Sequence, residues 1–133
     1  MTNVEKVSEF LDKAKLFYFL TTDGEQPKGR PFGFHILDDG KLYFGTGTFK
    51  NCYKQLLANP HVEILAVSGG EFMRYDGKVK IVKSEELLKK VRGAMPKIME
   101  TYDKNGWEMG MFYLEDGHAE IRGMLDLKEE FDV

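Results

Sequence analysis

Four Asp-Gly dipeptides punctuate this 133-residue chain, at Asp23-Gly24, Asp39-Gly40, Asp76-Gly77 and Asp116-Gly117. Each lies between stretches in which apolar and polar residues alternate. Asp-Gly readily supplies the positive φ that tight hairpin turns demand. A parallel neighbour needs a crossover of a dozen or more residues, far more than such a turn provides. The strands must therefore be mostly antiparallel, and a doubly wound parallel sheet does not fit.

The elements follow from periodicity. Val4, Val7, Leu11 and Ala14 recur at helical spacing and predict an amphipathic helix over 3–14. "KLFYFLTT" (15–22) predicts a strand. "KGRPFGFHIL" (28–37) reads as one strand, with Phe32, Phe34 and Ile36 on one face and Gly33, His35 and Leu37 on the other. Its Pro31 marks an edge or a strand start. "KLYFGT" (41–46) puts Leu42, Phe44 and Thr46 on one side. A short helix fits 51–58, with Asn51 as N-cap and Asn59-Pro60 as the stop. Strands follow at 61–68 and 71–82, the second bent or turned near Asp76-Gly77. Ser84 caps a helix with Glu85 and Glu86 in its first turn and Lys89, Lys90 and Arg92 toward its end, and Pro96 opens another to about Tyr102. "GMFYLEDGHAEIRGMLDL" (110–127) predicts a hairpin turning at Asp116-Gly117. The sum is a mainly β fold, a small closed antiparallel barrel of six to seven strands with short helices packed outside.

At 42% hydrophobic residues, residues 1–133 suffice for one domain with its own core. A net charge of −3 supplies no general field for nucleic acid or an anionic membrane, so neither is expected as a partner. No apolar run approaches the ~20 residues that span a bilayer. The charged N-terminus "MTNVEKVSEF" has no signal-peptide core. Cys52 is alone, so no internal disulfide forms, and a cytoplasmic, reducing location is expected.

The corner after the third strand pattern is unusual. Gly45-Thr46-Gly47-Thr48, then Lys50 and Asn51, precede the helix where one turn would do. One reading is a relieved bend with a solvated lysine. The other is anion binding: a helix N-terminus offers free N–H groups and partial positive charge, Thr46 and Thr48 offer hydroxyls, and Lys50 and Lys54 add charge. This is a phosphate cradle, but not a Walker loop, because no Gly-Lys-Ser/Thr run is present.

The order of the Arg30-Pro31 strand, the Thr46 corner and the Leu56, Asn59, Pro60, Val62 step resembles the pyridoxamine 5′-phosphate oxidase-like FMN-binding split-barrel superfamily, in its nitroimidazole-reductase and flavin-reductase branch. The resemblance covers roughly residues 10–82 and, more loosely, the rest. It implies a split β-barrel and a homodimer with flavin at the subunit interface. It also places the FMN phosphate near Arg30 and the Thr46-to-Lys54 corner, with the ring along Pro31 and Phe32 and against the partner chain. The chain departs from the pattern at Cys52, where the oxidases usually carry lysine, and at Lys50, where they carry Ser or Thr. The acidic tail "LDLKEEFDV" is expected to repel a phosphorylated substrate.

The implied function is electron transfer through bound FMN, from reduced nicotinamide or another donor to a small acceptor. The catalytic residues stay unknown, because the flavin carries the chemistry. A flavin- or haem-storage protein of the same fold is the alternative, with His35 as the one strand histidine aimed inward. Trp107 reads either as core or interface, or as a cover for the partner's flavin. Arg74 and Tyr75 read as neighbours of the barrel mouth or as an ion pair and core. The three histidines show no metal spacing, so no metal is expected.

Overall fold

A computed structural model describes every residue from Met1 to Val133. Helix α1 (Asn3–Ala14) starts at a capping box, in which the Thr2 side chain accepts from the Glu5 N–H and Glu5 reaches back to the Thr2 N–H. Its Val7, Phe10 and Leu11 are buried. Strands β1 (Phe17–Asp23) and β2 (Gln26–Phe32) form the first hairpin. β3 (Ile36–Asp38) and β4 (Lys41–Gly47) form the second, turning at Asp39 and Gly40 with φ of 48° and 77°. Helix α2 (Asn51–Ala58) leads to the third hairpin, β5 (His61–Ser68) and β6 (Glu71–Val82). Helices α3 (Glu85–Ala94) and α4 (Pro96–Asn105) then precede β7 (Met109–Arg122) and β8 (Leu127–Asp132).

All pairings are antiparallel, in the order β2-β1-β5-β6-β7-β4-β3, with β8 on the far half of β7. The sheet has eight strands and is not closed, its ends being β2 and β3. It is a mainly β, split-barrel arrangement with flanking helices. Inside it, Phe17, Phe19, Phe44, Phe112, Ile64 and Met73 join the buried faces of α1 and α2 in one core. A second, smaller core lies on the other face of β7, where Met109 and Met111 meet Leu87 and Val91 of α3 and Met99 and Tyr102 of α4.

An open, eight-stranded sheet replaces the closed barrel of six to seven strands expected, and two further sequence expectations fail. The 28–37 stretch is two strands, because β2 pairs with β1 while β3 pairs with β4, and Gly33–His35 carries the change of partner. The hairpin at Asp116-Gly117 is absent. Asp116 has φ 52°, but the chain continues along β6 through a bulge opposite Gly77, and the reversal comes only after Arg122. Asp-Gly satisfies a bulge as well as a turn, and pairing with β6 on both sides of it holds β7 in one line.

Candidate functional site

β4 delivers Thr46, 5% exposed, to the end of the barrel. The turn beyond it is closed by Thr48 N–H donating to the Glu108 carbonyl (2.9 Å) and Lys50 N–H donating to the Gly47 carbonyl (3.0 Å). Lys50 occupies the cap position of α2 in extended backbone, and no side chain caps the helix. Asn51, expected to be the cap, is the first helical residue instead. α4 also begins uncapped, at Met95, whereas Thr2 and Ser84 cap α1 and α3. Uncapped N-termini leave N–H groups and partial positive charge available to an anion.

Both uncapped ends border one cleft of about 1040 Å³. Arg30, Pro31, Phe32, Gly33 and Phe34 form one wall; Thr46, Lys50, Asn51 and Cys52 form the corner; Met95, Lys97, Ile98, Thr101 and Tyr102 form the α4 wall, with Gly45 and Met109 beneath. Arg30, Lys50 and Lys97 bring three cations, and no carboxylate lines the cleft. None of the three takes part in an ion pair.

Arg30 is held by neutral oxygens. Its Nη1 donates to Thr21 Oγ1 (2.9 Å) and to the carbonyls of Phe19 (3.0 Å) and Lys28 (3.4 Å). Its Nη2 donates to Gln55 Oε1 (2.8 Å), which also accepts from the Thr21 hydroxyl (2.6 Å). Phe32 stacks on Phe19 with centroids 4.9 Å apart, fixing the apolar wall beside this charge. Cys52 is a packed wall residue: burial pushes its thiol up, against the pull of Arg30, Lys50 and a hydrogen bond with Thr46.

Of the sequence candidates, Arg30, Pro31, Phe32, Thr46, Lys50 and Asn51 line the cleft, whereas Thr48, Lys54 and Trp107 do not. The Thr48 methyl faces Gly110, where an added Cβ would lie 3.1 Å from it. Lys54 is exposed on α2. Trp107 stacks on Phe49 (4.6 Å) and meets Tyr102 edge-on (5.7 Å), so it backs a cleft residue from behind. Arg74 is half-exposed beside Glu120 (3.9 Å) and Tyr75 is buried in the core, both outside the cleft. β8, the acidic tail, contributes no residue to the cleft. The α4 wall escaped sequence reading. Its one local signal was Met95 before Pro96, a helix start without a capping side chain.

No histidine lines the cleft. His35 packs edge-on against Phe17 (6.0 Å), with Nε2 3.1 Å from Asp12 and Nδ1 buried without a partner. His118 on β7 faces Asp132 (3.0 Å) and Glu130 (3.5 Å) of β8. With Glu120 and Glu130 it brings potential metal-ligand atoms within 4.8 Å of one another, a grouping that linear spacing hid because it spans two strands. Arg122 already engages Glu120 there at 2.9 Å.

The pyridoxamine 5′-phosphate oxidase family model matches residues 4–120. A NimC/NimA family protein from Clostridium acetobutylicum is similar at 30% identity, covering 100% of this chain and 95% of its own, with a TM-score of 0.89. A pyridoxamine 5′-phosphate oxidase-related, FMN-binding protein from Nostoc punctiforme has the same fold at 15% identity, with 99% and 90% coverage and a TM-score of 0.67. The haem storage protein of Vibrio cholerae shares it at 12% identity, with 98% and 96% coverage and a TM-score of 0.63. No curated protein matches this chain in sequence.

Proposed function

The chain belongs to the pyridoxamine 5′-phosphate oxidase family, and on that footing we propose that it is a cytoplasmic FMN-dependent oxidoreductase passing electrons from a reduced nicotinamide or similar donor to a small acceptor. The observation that carries this reading is the one-sided charge of the cleft: three unpaired cations and no carboxylate, set against an apolar wall. A phosphate on a flat, apolar ring system matches that donor set. Its volume stands near the upper end of the ~300–1,000 Å³ typical of small-molecule sites, leaving room for a second reactant.

FMN would supply the redox chemistry, and the residues here bind and orient. Arg30, Lys50 and the free N–H groups of α2 hold the phosphate, and the Thr46 hydroxyl faces the same end. Pro31, Phe32 and Phe34 offer the ring an apolar face. The α4 wall excludes water from the opposite side. A homodimer, with the flavin at the subunit interface, completes the proposed enclosure. Pyridoxine 5′-phosphate is not the expected substrate: Cys52 stands where the oxidases carry lysine, and turnover near the median enzyme rate of ~10 per second would refute this.

Replacing Lys50 by Met keeps most of the side chain and removes its charge. FMN affinity should fall roughly ten- to a hundredfold, from the ~1.5–3 kcal/mol of a hydrogen bond to a charged group, while riboflavin binding barely changes. Fluorescence titration of both flavins against both proteins measures this. Equal losses would show that Lys50 shapes the site rather than gripping phosphate. The storage alternative separates in the visible spectrum: a Soret band on adding haem, with no flavin uptake, would replace the enzyme reading. The lack of a histidine in the cleft disfavours that outcome.

A further inference from the structure

We infer that Gln55, together with Thr21, is a positioning residue that holds the Arg30 guanidinium at the cleft while leaving its charge uncancelled. This rests on reading the cleft as the seat of an anionic cofactor.

The three side chains close a ring. Arg30 Nη1 donates to Thr21 Oγ1 (2.9 Å), the Thr21 hydroxyl donates to Gln55 Oε1 (2.6 Å), and that same oxygen accepts from Arg30 Nη2 (2.8 Å). Thr21 is 2% exposed, so the ring is shielded from water on the barrel side. Both Nη atoms are thereby fixed, whereas Nε has no protein partner. Every acceptor is neutral. Of the four arginines, Arg74, Arg92 and Arg122 each face a carboxylate, and Arg30 alone does not. A glutamate at position 55 would make the same two hydrogen bonds more strongly, so stability alone gives no reason for the amide. The amide makes sense if the charge of Arg30 is meant for something that enters the cleft. In a partly desolvated site that charge acts with less screening than it would in water.

The test is Gln55→Glu, which keeps the ring and adds a negative charge beside the guanidinium. Thermal unfolding should show the fold intact. FMN affinity should fall roughly ten- to a hundredfold and lose salt sensitivity, while riboflavin affinity barely changes. Gln55→Met, which removes the acceptor without adding charge, should weaken FMN less than Gln55→Glu does. A residue that merely ties α2 to β1 would lower both flavins alike in both variants, and that result would overturn the inference. Stabilisation by inorganic phosphate gives a flavin-free readout. If phosphate stabilises the wild type and not Gln55→Glu, while FMN binds neither, the charge-holding role stands and the flavin reading falls. If FMN and phosphate act on Gln55→Glu as on the wild type, the flavin reading stands and this inference is overturned. If the wild type responds to neither, both fall.

Discussion

His35 and His118 respond to pH with opposite signs, and the difference lies in what surrounds each ring. Burial among apolar neighbours holds the His35 pKa below 6.5, with Asp12 pulling weakly the other way. A depressed folded value contributes stability that is present above pH 6.5 and lost as pH falls through the lowered value. The hydrogen bond that the His118 ring donates to Asp132, aided by the charges of Glu130, Asp132 and Asp76, raises the His118 pKa above 6.5. That contribution is complete below pH 6.5 and lost as pH rises through the raised value. Two outcomes follow. Amide exchange in 127–132, corrected for intrinsic rates, should quicken above about pH 6.5, and His118→Asn should abolish the pH dependence. The urea midpoint should fall on acidification below about pH 6.5, and His35→Gln should flatten that fall. Unchanged profiles in the variants would remove either histidine from the account. Residue roles were unevenly legible. Arg30 stood out because the Arg30-Pro31 strand carries part of the family resemblance. Gln55 did not, since its value depends on α2 lying over β1, which no local spacing encodes.

At the scale of elements, the helices and the two-residue turns at Gly24-Glu25 and Asp39-Gly40 were readable because caps and positive φ are local properties. The failures came where a strand's partner, not its own pattern, decides. Gly33–His35 alternates as a strand should, yet β2 and β3 belong to opposite ends of the sheet. Asp116-Gly117 reads as a turn, yet β6 runs alongside β7 on both sides of it. The bulge there makes its own prediction. A Cβ on Gly77 would lie 2.8 Å from the Glu115 carbonyl oxygen and 3.0 Å from Leu114 Cβ. The backbone must shift to admit it, so Gly77→Ala should cost about 1–3 kcal/mol in chemical denaturation. FMN affinity should be unaffected, because Gly77 does not line the cleft. A neutral substitution would mean that the bulge relaxes freely.

For the whole molecule, aromatic surface bears on the expected homodimer, and the segments 17–20, 32–36 and 111–114 are rich in it. Much of that surface is used internally: Phe17, Phe19, Phe112 and Leu114 are buried in the chain's own core. Tyr18 on β1 stays 43% exposed, and elsewhere the exposed large apolar side chains include Leu57, Val67, Ile98, Trp107, Met124 and Leu125. The proposed dimer would cover part of this surface, and an obligate one buries above ~2,000 Å². Sedimentation should show a dimer at micromolar concentration, and Val67→Asp should shift it toward monomer. A stable wild-type monomer would end the shared-site proposal.

β7 is also the strand on which both cores depend, and it is made late. Phe44 of β4 pairs with Phe112, and Met73 of β6 pairs with Ile121, so β4 and β6, each already paired on one side with β3 and β5, lack the partner for their other edge until most of the chain has left the ribosome. During synthesis the two strands present unpaired, apolar edges, and such edges invite association between nascent chains. Closing contacts so distant in sequence is also slow compared with local hairpin formation. The order in which the chain is written therefore sets a demand of its own: the first two hairpins and α1 must shelter Phe17, Phe19 and Phe44 until β7 arrives.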